Sequence, residues 1–89
     1  MKAIVTVVGK DRVGIIAGVC VKLAEYNVNV LDINQTVMQG FLTMMMATDV
    51  SACSIPLAEL VSRMEAVGKE MGLSIRVQRE DIFEAMHRI

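Results

Sequence analysis

Eighty-nine residues with nine basic and ten acidic side chains carry a net charge of −1, which offers no electrostatic grip on nucleic acid. Apolar residues make up 54% and mean hydropathy is +0.51, yet no apolar run nears the roughly 18 residues that a membrane span needs. A domain this small covers only about 60–65% of its surface on folding, so the surplus apolar surface implies a second copy of the chain as its cover.

Lys2–Val8 reads as the first strand, and both of its faces, Ala3/Val5/Val7 and Ile4/Val8, are apolar, as in a central strand covered on two sides. It has the look of a signal peptide's start, but the run is too short and Gly9-Lys10-Asp11 stands where a small-residue cleavage site belongs. The expected location is therefore cytoplasmic. Cys20 and Cys53 lie far apart without a C-x-x-C spacing, and Cys20 is expected as a buried free thiol.

The strand feeds straight into a helix through Gly9-Lys10-Asp11-Arg12-Val13-Gly14-Ile15. Asp11 is expected as the N-cap, accepting from backbone N–H groups two or three residues on. Gly9 permits a sharp exit from the strand, and Gly14 leaves the backbone of the first turn open to close approach. Free N–H groups at the positive end of a helix suit a carboxylate or a phosphate. The same residues also make an ordinary capped turn that needs no ligand.

The spacing predicts a first helix over Val13–Tyr26, with Val13, Ile16, Ala17, Cys20, Leu23 and Ala24 as its apolar stripe. Gly14 and Gly18 keep its other side low, and Asn27 ends it. Val28–Met38 is the second strand, with Leu31, Ile33 and Val37 on one face and Asp32, Asn34 and Thr36 on the other. Gln39-Gly40 is the turn of a hairpin whose return strand, Phe41–Val50, is apolar on both faces. Its three successive methionines are expected as core filler.

After a loop over Ser51–Ile55, Pro56 suits a first-turn position. Leu57, Leu60, Val61, Met64, Val67, Gly68 and Met71 then keep helical spacing, and Gly72 fits just past the C-terminus. Leu73–Glu80 alternates strictly, with Leu73, Ile75 and Val77 inward. Asp81 and Glu84 fit a capping box for a tail helix over 81–89 with Ile82, Phe83, Met86 and Ile89 as its apolar edge. Right-handed crossovers then place both long helices on one face of an antiparallel sheet, with the first and third strands in the middle. The other face needs a lid, supplied by the tail, a second subunit, or both.

With this element order, Gly9-x-Asp11-x-x-Gly14-Ile15-Ile16-Ala17 and Asn29-Val30-x-Asp32-Ile33-x-Gln35 make the chain resemble the ACT domain over residues 1 to 80. The resemblance implies an α+β, ferredoxin-like βαββαβ sandwich with a short C-terminal helix, and residues 1–89 as a single domain. It also implies a regulatory module that pairs as a homodimer or higher homo-oligomer and binds an amino acid at the interface. The chain looks like the stand-alone ACT proteins of bacteria and archaea, and more distantly like the glycine-cleavage repressor type. By position, backbone N–H groups across Gly9, Asp11, Arg12, Val13, Gly14 and Ile15 would meet the ligand carboxylate. Asn29 and Asp32 of the partner subunit would meet its ammonium or side chain. As a cap, Asp11 competes for the donors a ligand wants, and Arg12 is either a ligand contact or a solvated charge.

Rival functions find less support. Catalysis needs a nucleophile with a base, paired carboxylates or metal ligands, whereas His87 is the one histidine and neither cysteine has a histidine near it in sequence. Gly9-Lys10 lacks the rest of a P-loop. No cofactor or metal is expected. RNA-recognition domains share this strand order but stack bases on sheet aromatics, and this chain has only Tyr26, Phe41 and Phe83. A module that docks on an enzyme or regulator without any metabolite is not separated from a ligand sensor by sequence.

Overall fold

The computed structural model describes residues 1–86, with Phe83 and Met86 described by backbone alone. The elements run β1 (Lys2–Lys10), α1 (Ile15–Glu25), β2 (Asn29–Met38), β3 (Phe41–Asp49), α2 (Leu57–Met71), β4 (Ser74–Arg79) and α3 (Glu80–Met86). All strand pairs are antiparallel and the order is β2-β3-β1-β4. The two strands that are apolar on both faces hold the centre, as their sequences require.

Register and burial together separate the faces. Ala3, Val5 and Val7 of β1, Leu42, Met44 and Met46 of β3, and Ile75 and Val77 of β4 are buried with Ile15, Val19 and Leu23 of α1 and Leu60, Met64 and Val67 of α2. Met44 and Met46 fill this core while Met45 faces away. Each fully buried side chain of this size contributes roughly 1.5–3 kcal/mol of transfer free energy. Thr48 is the one buried polar side chain among the described residues, and its hydroxyl donates to the Ala3 carbonyl at 2.8 Å, which removes the cost of burying it.

Turn chemistry is local and matches the sequence. Gln39 and Gly40 both have positive φ (52° and 82°), the combination that a two-residue hairpin needs to follow the twist of its strands. Gly72 caps α2 in the left-handed region (φ 71°), with the Leu73 N–H donating to the Gly68 carbonyl at 2.7 Å. Asn27 ends α1 with φ 60°, its amide Nδ2 donating to Ala52 O at 2.9 Å.

Four expectations change. Asp11 is not the N-cap: α1 starts at Ile15, its cap is Gly14 with φ 91°, and Asp11 lies three residues upstream. The buried stripe of α1 is Ile15, Val19 and Leu23, whereas Val13 is fully exposed and Ile16 faces solvent in part; Cys20 is half-buried and free. A bulge at Leu31 breaks the β2–β3 register, so the alternation of faces in β2 runs regularly only from Asp32 onward. The capping box is absent, because Asp81 sits inside the first turn of α3 and pairs with Arg79 at 2.8 Å. Of the expected apolar edge of the tail, Ile82 is exposed, while the side chains of Phe83 and Met86 and all of residues 87–89, His87 and Ile89 included, lie outside the described residues. α3 packs beside β1 and β4, leaving Met38, Phe41 and Met45 exposed at the other side of the sheet.

Candidate functional site

The β1–α1 turn is held from three directions. The Asp11 N–H donates to the Gly40 carbonyl at 2.8 Å, tying the turn to the β2–β3 hairpin. The Arg12 guanidinium donates to the Met71 carbonyl at the C-terminus of α2, where a cation also meets the negative end of the helix. Gly9 packs on Leu73 so closely that a Cβ there would lie 2.5 Å from Leu73 Cδ2, so its lack of a side chain serves packing. Gly14 differs. Its φ of 91° suits glycine, and a Cβ there would meet nothing within 4 Å, so the space beside it is open.

With Gly14 as the cap, no side chain covers the start of α1 and no acidic residue lies in its first turn. The first intrahelical bond runs from the Gly18 N–H to the Gly14 carbonyl at 2.9 Å. The N–H groups of Ile15, Ile16 and Ala17 therefore lack helical acceptors. These residues also line a cleft of about 460 Å³, together with Asp11, Arg12, Gly14, Gln35, Val37 and Leu42. Other surface clefts measure about 390, 330 and 280 Å³. One carboxylate, one guanidinium, a set of bare amides and an apolar wall thus share one cavity.

Four of the expected site residues, Asp11, Arg12, Gly14 and Ile15, line this cleft, whereas Gly9 does not line it and packs on Leu73 instead. Val13 projects into solvent. Asn29 and Asp32 are not brought to it within one chain. They occupy the opposite end of β2, Asn29 in a separate cleft with Asn27, Asp49 and Ser51. Asp32 stands opposite Ala47, on the sheet face away from the helices, and its Oδ1 accepts from the Ile33 N–H at 2.9 Å. Gln35 and Val37 also line the cleft, outside the expected site residues, although the pattern Asp32-Ile33-x-Gln35 contains one of them. Their signal is register: opposite Met44 and Leu42, both buried, they point to the helix side of an edge strand that α1 does not cover.

Comparison with known proteins follows the same lines. The profile described as ACT domain matches residues 2–78. A UPF0237 protein of Listeria innocua is 47% identical over 89 residues, covering all of both chains. One of Methanosarcina acetivorans is 48% identical over 86 residues, covering 97% of this chain and 94% of its own. Among solved structures, an ACT domain protein from Streptococcus pneumoniae superposes with a TM-score of 0.83 at 44% identity, covering 94% of each chain. The same fold recurs in a formyltetrahydrofolate deformylase from Pseudomonas syringae (TM-score 0.78, 20% identity, 88% of this chain and 27% of that one). It recurs again in a putative glycine cleavage system transcriptional repressor (0.73, 19%, 88% and 44%). The profile match and the full-length relatives place this chain in the ACT domain family of regulatory modules.

Proposed function

We propose that the protein is a regulatory homodimer that senses an amino acid or a related metabolite in the cleft beside Gly14 and relays its level to a partner enzyme or regulator. The observation that carries the reading is the uncapped start of α1 opening on a cavity that also holds Arg12. Bare amides at the positive helix end, reinforced by a guanidinium, favour a carboxylate. The deformylase and the putative repressor that share the fold pair it with metabolic and regulatory roles, which supports a regulatory use here.

The dimer in this proposal forms through β2. This edge strand is ten residues long, contains no Lys, Arg or Pro to blunt it, and is exposed along nearly its whole length. Two copies paired antiparallel across a two-fold would set the N-terminal half of one β2 beside the C-terminal half of the other. Asn29 and Asp32 of the partner subunit would thereby reach the end of the sheet where the cleft opens. Calorimetry and thermal shift against the twenty amino acids test the reading: a ligand at 100 times its Kd should raise stability by about 2.7 kcal/mol. No response to any of them would favour a docking module without a metabolite.

A further inference from the structure

We infer that the sheet face away from the helices is a second self-association surface, and that it pairs with the same face of another copy about a two-fold axis running along the strands. The molecule is 20 Å through its shortest extent, the depth of one sheet and one helix layer, so nothing among the described residues forms a layer over this face. Val8, Phe41 and Met45 are exposed on it. α3 shares a cleft with Lys2 and Arg79 at one end of the sheet.

The register sets the face out in rows. From β2 to β4, one row reads Asp32, Ala47, Ile4 and Gln78, and the next reads Asn34, Met45, Thr6 and Arg76. An acid thus stands on one edge strand and a base on the other, with uncharged side chains between them. Lys2, Asp49 and Lys10 fall at the ends of the face. Three strand spacings hold Asp32 and Arg76 about 14 Å apart or more within one chain. Neither makes an ion pair among the described residues, and Asp32 Oδ1 accepts from the Ile33 N–H.

Two arrangements stack a pair of such faces about a two-fold. An axis across the strands, centred on the Met45–Thr6 row, sets each strand over its own copy, so that Arg76 meets Arg76 and Asp32 meets Thr36. Like charges brought together in this way oppose pairing. An axis along the strands instead sets β2 over the partner's β4 and β3 over its β1, with the rows kept in order. Asp32 then lies one row from Arg76 of the partner subunit, on the order of 12 Å between Cα atoms for sheets about 10 Å apart. The two side chains, extended, span that distance, and symmetry repeats the pair at the other edge. Between the two pairs, Met45 and Ala47 lie over Thr6 and Ile4 of the partner subunit.

Four strands of this length present a face on the order of 550 Å². Two copies then bury about 1,100 Å², just above the roughly 1,000 Å² that a specific contact needs, so the pairing is weak and belongs to concentrated protein. Edge pairing through β2, as proposed above, leaves this face free. Its two-fold is normal to the sheet and does not meet the axis of the face contact. Used together, the two contacts extend the assembly without closing a ring.

Sedimentation of the full chain tests the face contact with the edge contact blocked by Ile33→Lys. That protein should still pair at high concentration, and less in about 0.5 M salt than in about 0.05 M. Adding Arg76→Glu should weaken this pairing about tenfold or more, and adding Asp32→Lys to both should restore most of it, because face stacking is what brings positions 32 and 76 together. Both positions are exposed, so each variant should melt within about 3 °C of its parent, which separates lost pairing from lost folding. Ile33→Lys protein that is monomeric at every concentration would overturn the inference while leaving the β2 dimer standing. Arg76→Glu without effect, or a double charge reversal that restores nothing, would overturn it too. So would wild-type protein whose mass stops at a closed tetramer.

Discussion

β2 and β4 are the two edges of one sheet, and they are built differently. Leu73, just before β4, and Ile75 and Val77 within it turn inward on the side of α2, and all three are buried. Gly68 of α2 lies so close that a Cβ there would sit 2.7 Å from the Leu73 carbonyl oxygen and 3.2 Å from the Ile75 N–H nitrogen. β2 has a matching inward row, yet Ile33 and Val37 remain 40% and 50% exposed. One helix is seated on its edge strand and the other stands off, and that gap is the cleft. The closed edge holds the fold together, and the open edge is the one to which the proposed ligand and second chain are assigned.

The largest expected effect comes from prying the closed edge apart. Gly68→Val places carbon against backbone that cannot move without shifting β4, so overpacking should cost about 3 kcal/mol, equivalent to a fall in Tm of roughly 12–24 °C for a domain this size. Denaturant unfolding checks it. A change below about 0.5 kcal/mol would mean that α2 and β4 are not seated as described.

The open edge should respond the opposite way. Ile33→Lys puts a charge on an exposed position of β2, so folding stability should move by only about 0.5 kcal/mol. Self-association should weaken by about tenfold or more, because a lysine on an edge strand discourages pairing. Sedimentation across a concentration series reads this directly. An unchanged dimer would send the interface elsewhere, to the sheet face bearing Phe41 and Met45, and the partner subunit's β2 would no longer belong to the site.

How much of this difference could be read from the sequence is uneven, for physical reasons. β4 was legible because one face meets a helix and the other meets water, which writes strict alternation into Leu73–Arg79. The stripe of α2 was legible because its polar side, with Glu59, Arg63, Lys69 and Glu70, is as clear as its apolar one. α1 offers no such contrast: Ile15 to Val21 is apolar all round, so its buried face shifted from the Val13, Ile16, Cys20 series to Ile15, Val19 and Leu23. Asp11 looked like a cap because its residue type favours capping, but Gly14 with φ 91° starts the helix later. The bulge at Leu31 has no residue signature, so nothing in the sequence of β2 places Gln35 beside the cleft.

The Gly14 position sharpens the same contrast on a smaller scale. Gly14→Ala meets no steric obstacle but must adopt φ near 91°, at a cost of about 1–2 kcal/mol in thermal unfolding. The strain is relieved by moving the start of α1, so amino-acid binding should fall further than stability does. Gly40→Ala, with φ 82° and equally open surroundings, is the comparison: it should cost a similar amount of stability but reduce binding less, because Gly40 reaches the turn only through its carbonyl, which accepts from the Asp11 N–H. Equal effects of the two on binding would mean that the α1 start is not where the ligand sits.

The smallest effect concerns the far end of β2, where Asp49 pairs with Asn29 across the strands. The Ser51 hydroxyl, followed by the Ser51 N–H at 2.9 Å and the nearby N-terminal ammonium, holds the Asp49 carboxyl below its ordinary value against a weaker opposing effect of burial. A carboxyl with a lowered folded-state pKa binds its proton more weakly in the native state than in the unfolded chain. Its contribution is present above the ordinary carboxylate range and is lost as pH falls through the lowered value. Asp49 is solvent-screened, so the contribution is small. Asp49→Asn should lower Tm near neutral pH, and the gap from wild type should close as the solution is acidified. A gap that stays constant with pH would show that the residue acts by shape and hydrogen bonding alone, and that this end of the open edge is held without charge.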